Sequence, residues 1–349
     1  MKQFNFLNED NRLKRLSELG DPLEKAGYVV NYEIFRPVLN EVFSYQTYDS
    51  GKGGRRPWDY VLMFKILLLQ DWHHIADDQT EYLINDRLSF QRFLGLSLGD
   101  KVPDAKTIWA FREALTKSGR SKELFDLFAR EMEEQGVITR RGSIVDASFA
   151  DAPRQRNTRD ENERIKAGEV PEAWKQPKQE TKLRQKDTDA RWTKKNGVTH
   201  YGYMDHIKAD RDSKMIVDYM VTDASVHDSQ AAAQLIDKKD KCVHMDSAYR
   251  GERVKLSIRE KNKSVRLSIN EKGYRGHPLT GHQKAMNRRR SKIRARIEHI
   301  FGHIRMCMGG LGIRCVGGIR AAAAIGMKNL AYNISRLVTL EALKSLSTA

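Results

Sequence analysis

Near residue 140 the hydrophobic pattern of this chain changes period, and that change limits the architectures open to it. Upstream, Trp58, Leu62, Met63, Ile66 and Leu69 recur at helical spacing. Helices are expected over Tyr60–Gln70, Glu81–Phe93 and Ala105–Leu115, the last opened by Pro103-Asp104-Ala105 with Asp104 as its N-cap. Downstream, Ser143–Phe149 is a short apolar run enclosing one acid, Asp146, and reads as a strand. Further strands are expected at Thr199–Ile207 and Met215–Val221, as a hairpin around Asp210-Arg211-Asp212-Ser213, and at Cys242–Asp246 and Val265–Ile269. Helices fit between and after them, at Ser229–Leu235, Glu252–Glu260, Ala285–Arg305 and Ala321–Leu343.

Helices followed by alternating strands and helices imply an α region leading into an α/β region. The expected divisions are a helical part over 1–137, a mixed-sheet part over 138–318 and a C-terminal helix over 319–349 that packs on it. Residues 151–196 are polar, basic and without clear periodicity, and read as a long insertion in the sheet region.

Charge narrows the partners. The chain carries a net charge of +16, and residues 250–320 hold 19 Lys and Arg against four Glu, a local balance of 19 − 4 = +15. So concentrated a block is an electrostatic footprint for phosphates, which favours nucleic acid. No run of about 18 apolar residues is present to span a bilayer, and Met1–Asn5 lack the apolar core of a signal peptide. The three cysteines, Cys242, Cys307 and Cys315, have no C-x-x-C spacing, so neither a zinc ribbon nor a disulfide framework is expected and the cytoplasm is the default location.

Two expected strands centre or end on an acid, Asp146 and Asp246, and the long basic helix carries a third, Glu298. Carboxylates converging from separate elements suit divalent metals that act on phosphate esters. On the basic helix, Ile293, Ile297, Ile300 and Ile304 form an apolar stripe. At ~100° per residue, Glu298 lies about 130° from the centre of that stripe, with Arg294 and Arg305 near the same direction. The plainer reading of that line is an exposed Arg294–Glu298 pair at i, i+4.

Gly142-Ser143-Ile144-Val145-Asp146-Ala147-Ser148 resembles the first-acid strand of bacterial insertion-sequence transposases with an Asp-Asp-Glu triad. Asp246-Ser247-Ala248-Tyr249-Arg250-Gly251 is similar to their second-acid motif, and Arg294-x3-Glu298-x6-Arg305 to their third, with Ser291 where a Tyr often stands. Tyr201-Gly202-Tyr203, Val226-His227-Asp228-Ser229 and Pro103-Asp104-x2-Thr107-x3-Phe111-Arg112 extend the resemblance, in order, over most of the chain.

The resemblance implies a ribonuclease H-like catalytic fold after a helical DNA-binding part, with Asp146, Asp246 and Glu298 as catalytic and metal-binding acids. It also implies Mg²⁺ or Mn²⁺, expected as two ions, terminal inverted repeats and target DNA as substrates, and a homodimer holding two ends. Arg294, Arg305, Arg250, Tyr249, Arg288, Arg289 and Arg290 are the expected DNA contacts near the acids, and Lys106, Thr107 and Arg112 those of the helical part. The alternatives are a nuclease of the same fold that cuts without joining, and a non-catalytic DNA-binding regulator. Only 52 residues separate Asp246 from Glu298 and no Trp follows Trp192, so the hairpin route of relatives that place a base-stacking Trp in that gap is not expected here.

Other signals are set aside. Glu298-His299-x3-His303 has the wrong order for a zinc-protease helix, which needs Glu between the two His. Gly309-Gly310-Leu311-Gly312 follows a helix rather than a strand, so it reads as a turn instead of a nucleotide loop. Asp218, Asp223 and Asp228 are rival acids, with Asp223 the first reserve. Trp192 is read either as a base-stacking residue or as the packed anchor of the insertion.

Overall fold

The computed structural model describes residues 7–43, 57–154, 157–176, 180–195 and 197–348. Met1–Asn5, on which the signal-peptide reading rests, lie outside them.

Among the described residues eight α-helices come first: α1 (Leu7–Glu18), α2 (Pro22–Val29), α3 (Arg36–Val42), α4 (Tyr60–His73), α5 (Asp77–Asp86), α6 (Leu88–Leu94), α7 (Ala105–Lys117) and α8 (Ser121–Glu134). Asp104 caps α7 as expected, its carboxylate accepting from the Thr107 N–H at 2.7 Å. The single helix expected over Glu81–Phe93 is instead two. Arg87 is extended between α5 and α6, and the Asn85 amide donates to the Glu81 carbonyl at 2.8 Å. That side chain competes with the backbone where the helix ends.

The sheet region follows: β1 (Ser143–Asp151), α9 (Arg159–Lys166), α10 (Glu180–Gln185), β2 (Arg191–Lys195), β3 (Val198–Asp210), β4 (Ile216–Asp223), α11 (Asp228–Leu235), β5 (Cys242–Met245), α12 (Glu252–Lys261), β6 (Arg266–Ile269), α13 (Gly281–Cys307) and α14 (Gly318–Thr348). The main order is β4-β3-β1-β5-β6, antiparallel through β4, β3 and β1 and parallel through β1, β5 and β6. This is the ribonuclease H-like arrangement that the resemblance implies. The hairpin turn between β3 and β4 is held by Asp210, whose carboxylate accepts from the N–H groups of Arg140, Asp212 and Ser213.

The insertion is more ordered than its composition suggests. β2 lies along the first part of β3, and β4 along the rest of the same edge. Gly202 sits where one partner gives way to the other, at φ 148°, and a Cβ there would come within 2.3 Å of the Ala150 carbonyl oxygen. The residues on either side of it tie the insertion down. The Tyr203 hydroxyl donates to the buried carboxylate of Asp187 at 2.8 Å, and the Tyr201 hydroxyl to the Asp187 carbonyl at 2.9 Å. A capping box opens α9 at Thr158 and Glu161, and Glu161 also accepts from the indole of Trp174, which is fully buried.

One apolar core runs from Leu23 and Phe35 through α4 and α8 to Ile144 and Ile207 of the sheet, and on to Ile297, Ile300, Leu330 and Ile334. The other sheet face, with Val145, Val243 and Met245, packs on α11 and α12. The helical part therefore shares its core with the face of the sheet that α13 and α14 cover. Among the described residues no helix is long and apolar enough to cross a membrane.

Candidate active site

Strand register brings the two aspartates together. In the parallel β1–β5 pair, Ser143 aligns with Val243 and Ile144 with His244. Extending that offset two residues sets Asp246, just past β5, beside Asp146. Alternation along the strands puts both on the Ile144 face, which is the face α13 covers, because Ile144 shares a core with Ile297 and Ile300. The stripe read from the sequence is thus what seats α13: Ile297, Ile300 and Ile304 are buried and Ile293 packs against the same core.

Arg294 and Glu298 do not pair along the helix. Arg294 reaches the sheet and donates to Asp146 at 3.0 Å, with both side chains largely buried. Burial pushes the Asp146 carboxyl above its usual range, more than the adjacent guanidinium and the Ala147 N–H pull it down. Burial works against the charge of Arg294, but the fields of Asp146, Asp246 and Glu298 together outweigh it and hold its pKa up. One guanidinium therefore feels all three acids. Asp246 caps the turn Ser247–Tyr249 by accepting from the Ser247 N–H, while Glu298 is exposed and has no side-chain partner among the described residues.

The donor set is all carboxylate, as a hard divalent cation prefers. Three acids and one guanidinium leave −3 + 1 = −2, a net negative charge that attracts divalent cations. As the side chains stand, no three His, Cys, Asp or Glu among the described residues approach closely enough to enclose an ion. Arg294 holds the Asp146 oxygen that an ion would take. The residues fit a metal in kind and charge, and Glu298 is exposed on the same helix as Arg294.

The remaining expected contacts divide. Arg288, Arg289, Arg305 and Lys106 are exposed and have no acidic partner among the described residues. Arg250 is spent on Glu271 at 2.7 Å, and Arg290 on the Ile269 carbonyl, with Glu271 at 3.8 Å. Arg112 pairs with Asp77, and Thr107 is half-buried on the first turn of α7. Tyr249 is the correction: it is 1% exposed, packed with Val145 and Met245, so its ring offers no face for a base.

The rival acids have local roles. Asp223 accepts from Ser225 in a turn, Asp228 pairs with Lys195 at 3.0 Å, and Asp218 with Lys122 at 2.9 Å. Trp192 is partly exposed, with its ring 4.8 Å from that of Tyr201. Gly309 and Gly310 form a left-handed turn after α13, as expected. Asp187, which ties the insertion to the Tyr201-Gly202-Tyr203 stretch, was not singled out in the sequence. Two tyrosines around a glycine marked only its partners.

A ribonuclease H-like sheet with one acid within β1 and another just past the end of the neighbouring parallel strand β5, crossed by a basic helix, is an arrangement suited to nucleic-acid phosphoryl transfer. Comparison with known families gives the particular family. The Transposase DDE domain model matches residues 138–334, and the Transposase domain (DUF772) model matches residues 11–114. The chain belongs to the DDE transposase family, of the insertion-sequence type, and such enzymes act on DNA with divalent metal ions. Among solved structures it is similar to the piggyBac transposase synaptic complex with hairpin DNA, determined by cryo-EM. That match has a TM-score of 0.45 and 10% identity, over 90% of this chain and 75% of that one.

Proposed function

We propose that this transposase cleaves DNA at the terminal inverted repeats of an insertion sequence and joins the freed 3′ ends to target DNA, with Asp146, Asp246 and Glu298 as its catalytic acids. The observation that carries the assignment is the geometry where α13 crosses β1 and β5: the strand register sets Asp246 beside Asp146, and Arg294, one turn from Glu298, donates to Asp146 at 3.0 Å. The three acids would hold Mg²⁺ or Mn²⁺, as two ions, which supply the Lewis acidity that phosphodiester cleavage needs. Arg294 orients Asp146 and balances its charge before an ion arrives. Exposed Arg288, Arg289 and Arg305 line α13 and follow the phosphates of the bound ends. Lys106, Thr107 and Arg112 on α7 contact the terminal repeat, and a homodimer holds two ends.

The test is cleavage and strand transfer on an end-repeat duplex with Mg²⁺ or Mn²⁺. Asp146→Asn, Asp246→Asn and Glu298→Gln are each expected to lose both activities while retaining DNA binding. Cleavage undiminished by Glu298→Gln together with a dead Asp223→Ala would overturn the assignment of the acids. Cleavage without joining identifies a nuclease instead.

A further inference from the structure

A cavity of about 600 Å³ lies between α4, α7, α10, the 311–316 segment and the start of α14, away from the acids. It is joined to them through β1. The Ile313 N–H donates to the Asp151 carbonyl at 2.9 Å, and Asp151 is five residues beyond Asp146, about 17 Å along a strand.

The wall is cationic. Arg112, Arg184, Arg314, Arg320 and Lys328 line it against the acids Asp71 and Glu113, a balance of 5 − 2 = +3. Three of the cations are spent: Arg112 on Asp77, Arg320 on Glu113 and Lys328 on Asp71. Arg184 has no acidic partner among the described residues. Arg314 is held at 3.2 Å from the Nε2 atom of His74. Burial and the neighbouring Lys328 and Arg314 lower the His74 pKa, so its ring is a neutral acceptor. It positions the guanidinium without cancelling its charge.

His74 is itself fixed. It ends α4 in the left-handed region at φ 51°, and Gly309 lies so close that a Cβ there would stand 2.3 Å from the His74 ring. On the same wall Trp109 is 56% exposed. The cavity is in the size range of small-ligand pockets and too small for a duplex.

We propose that this cavity is a binding site for single-stranded DNA, taking a phosphodiester on Arg314 and Arg184 and a base against Trp109. It rests on the transposase reading and adds a single-strand site to it. A positively charged groove with an aromatic platform is the general means of holding a single strand without reading its sequence.

The experiment measures binding of a fluorescein-labelled 12-mer of deoxythymidylate, and of an end-repeat duplex, by anisotropy in a metal chelator. Arg314→Ala and Trp109→Ala are each expected to weaken single-strand binding at least about fivefold, with duplex affinity unchanged. Arg314→Ala should also reduce the salt slope for the single strand by about 0.7. His74→Glu, which gives Arg314 a charged partner, should weaken it likewise, whereas His74→Asn, neutral and suited to the left-handed region, should retain it. Unchanged single-strand binding in both alanine variants, with end cleavage intact, overturns this proposal alone. Equal losses on the duplex overturn its single-strand character. A wild-type protein that binds neither DNA overturns the transposase reading as well.

Discussion

Replacing Asp205 by asparagine should stabilise this protein, and by more as pH rises. Asp205 lies on β3, opposite Ser148 of β1 and Val221 of β4, and is fully buried. Its Oδ1 accepts from the Asn329 amide of α14 at 3.1 Å. Its Oδ2 and the Asn329 Oδ1 are both buried without a partner among the described residues. Burial pushes its pKa from 3.8 up to about 7, against a smaller lowering by Asn329. For an acid raised in the folded state, the stability contribution is complete below the unfolded pKa. It is lost as pH climbs towards the folded value. With those two pKa values the loss is about 1.5 kcal/mol at pH 5 and about 4 kcal/mol at pH 8. The substituted side chain cannot ionise, and its amide supplies the donor that the Asn329 Oδ1 lacks. The advantage of Asp205→Asn should therefore grow by about 2.5 kcal/mol between pH 5 and pH 8. Urea denaturation at intermediate pH values, with metal chelated, measures it. A gain independent of pH, or none at pH 8, refutes the reasoning.

Three further outcomes follow from the same contacts. Lys208→Met leaves Asp240, fully buried and 3.0 Å from the Lys208 ammonium, without its cation; unfolding free energy should fall by about 3–5 kcal/mol, as read by chemical denaturation. Gly309→Ala forces a Cβ into the His74 ring at a backbone φ of 71°. A loss of at least about 1 kcal/mol, seen as a lowered Tm, is expected. Tyr203→Phe removes the hydroxyl that meets Asp187; limited proteolysis between residues 157 and 185 should accelerate while the global midpoint moves little, whereas a protected insertion would show that Asp187 is not its anchor.

Much of the fold was legible because its signals are local. The Asp104 cap, the acid-bearing strand at Asp146, the hairpin at Asp210 and the isoleucine stripe of α13 each depend on residues within a few turns or one pleat of one another. The reading failed where local signals were weak or contradicted by distant partners. Residues 151–196 lack periodicity, yet Trp174 and Asp187 bury themselves through contacts with Glu161 and with Tyr203. Tyr249 sits in a motif that suggests a DNA contact, but the packing of α11 and α12 on β5 encloses it.

The sequence by itself determined most of the helices and strands outside the insertion, where the positive charge gathers, and which three acids are candidates. The segments and the charge follow from periodicity, caps and composition, which the chain carries wherever it folds, while the three acids become one set through the resemblance to Asp-Asp-Glu transposases. Only the tertiary structure decided what those acids meet. The β1–β5 register sets Asp146 beside Asp246, and Arg294 crosses 148 residues of sequence to pair with Asp146 rather than with Glu298 one turn away. The raised pKa of Asp205 and the unspent charge of Arg314 belong to the same level. Both depend on which groups are excluded from water together, and chain order does not encode that locally.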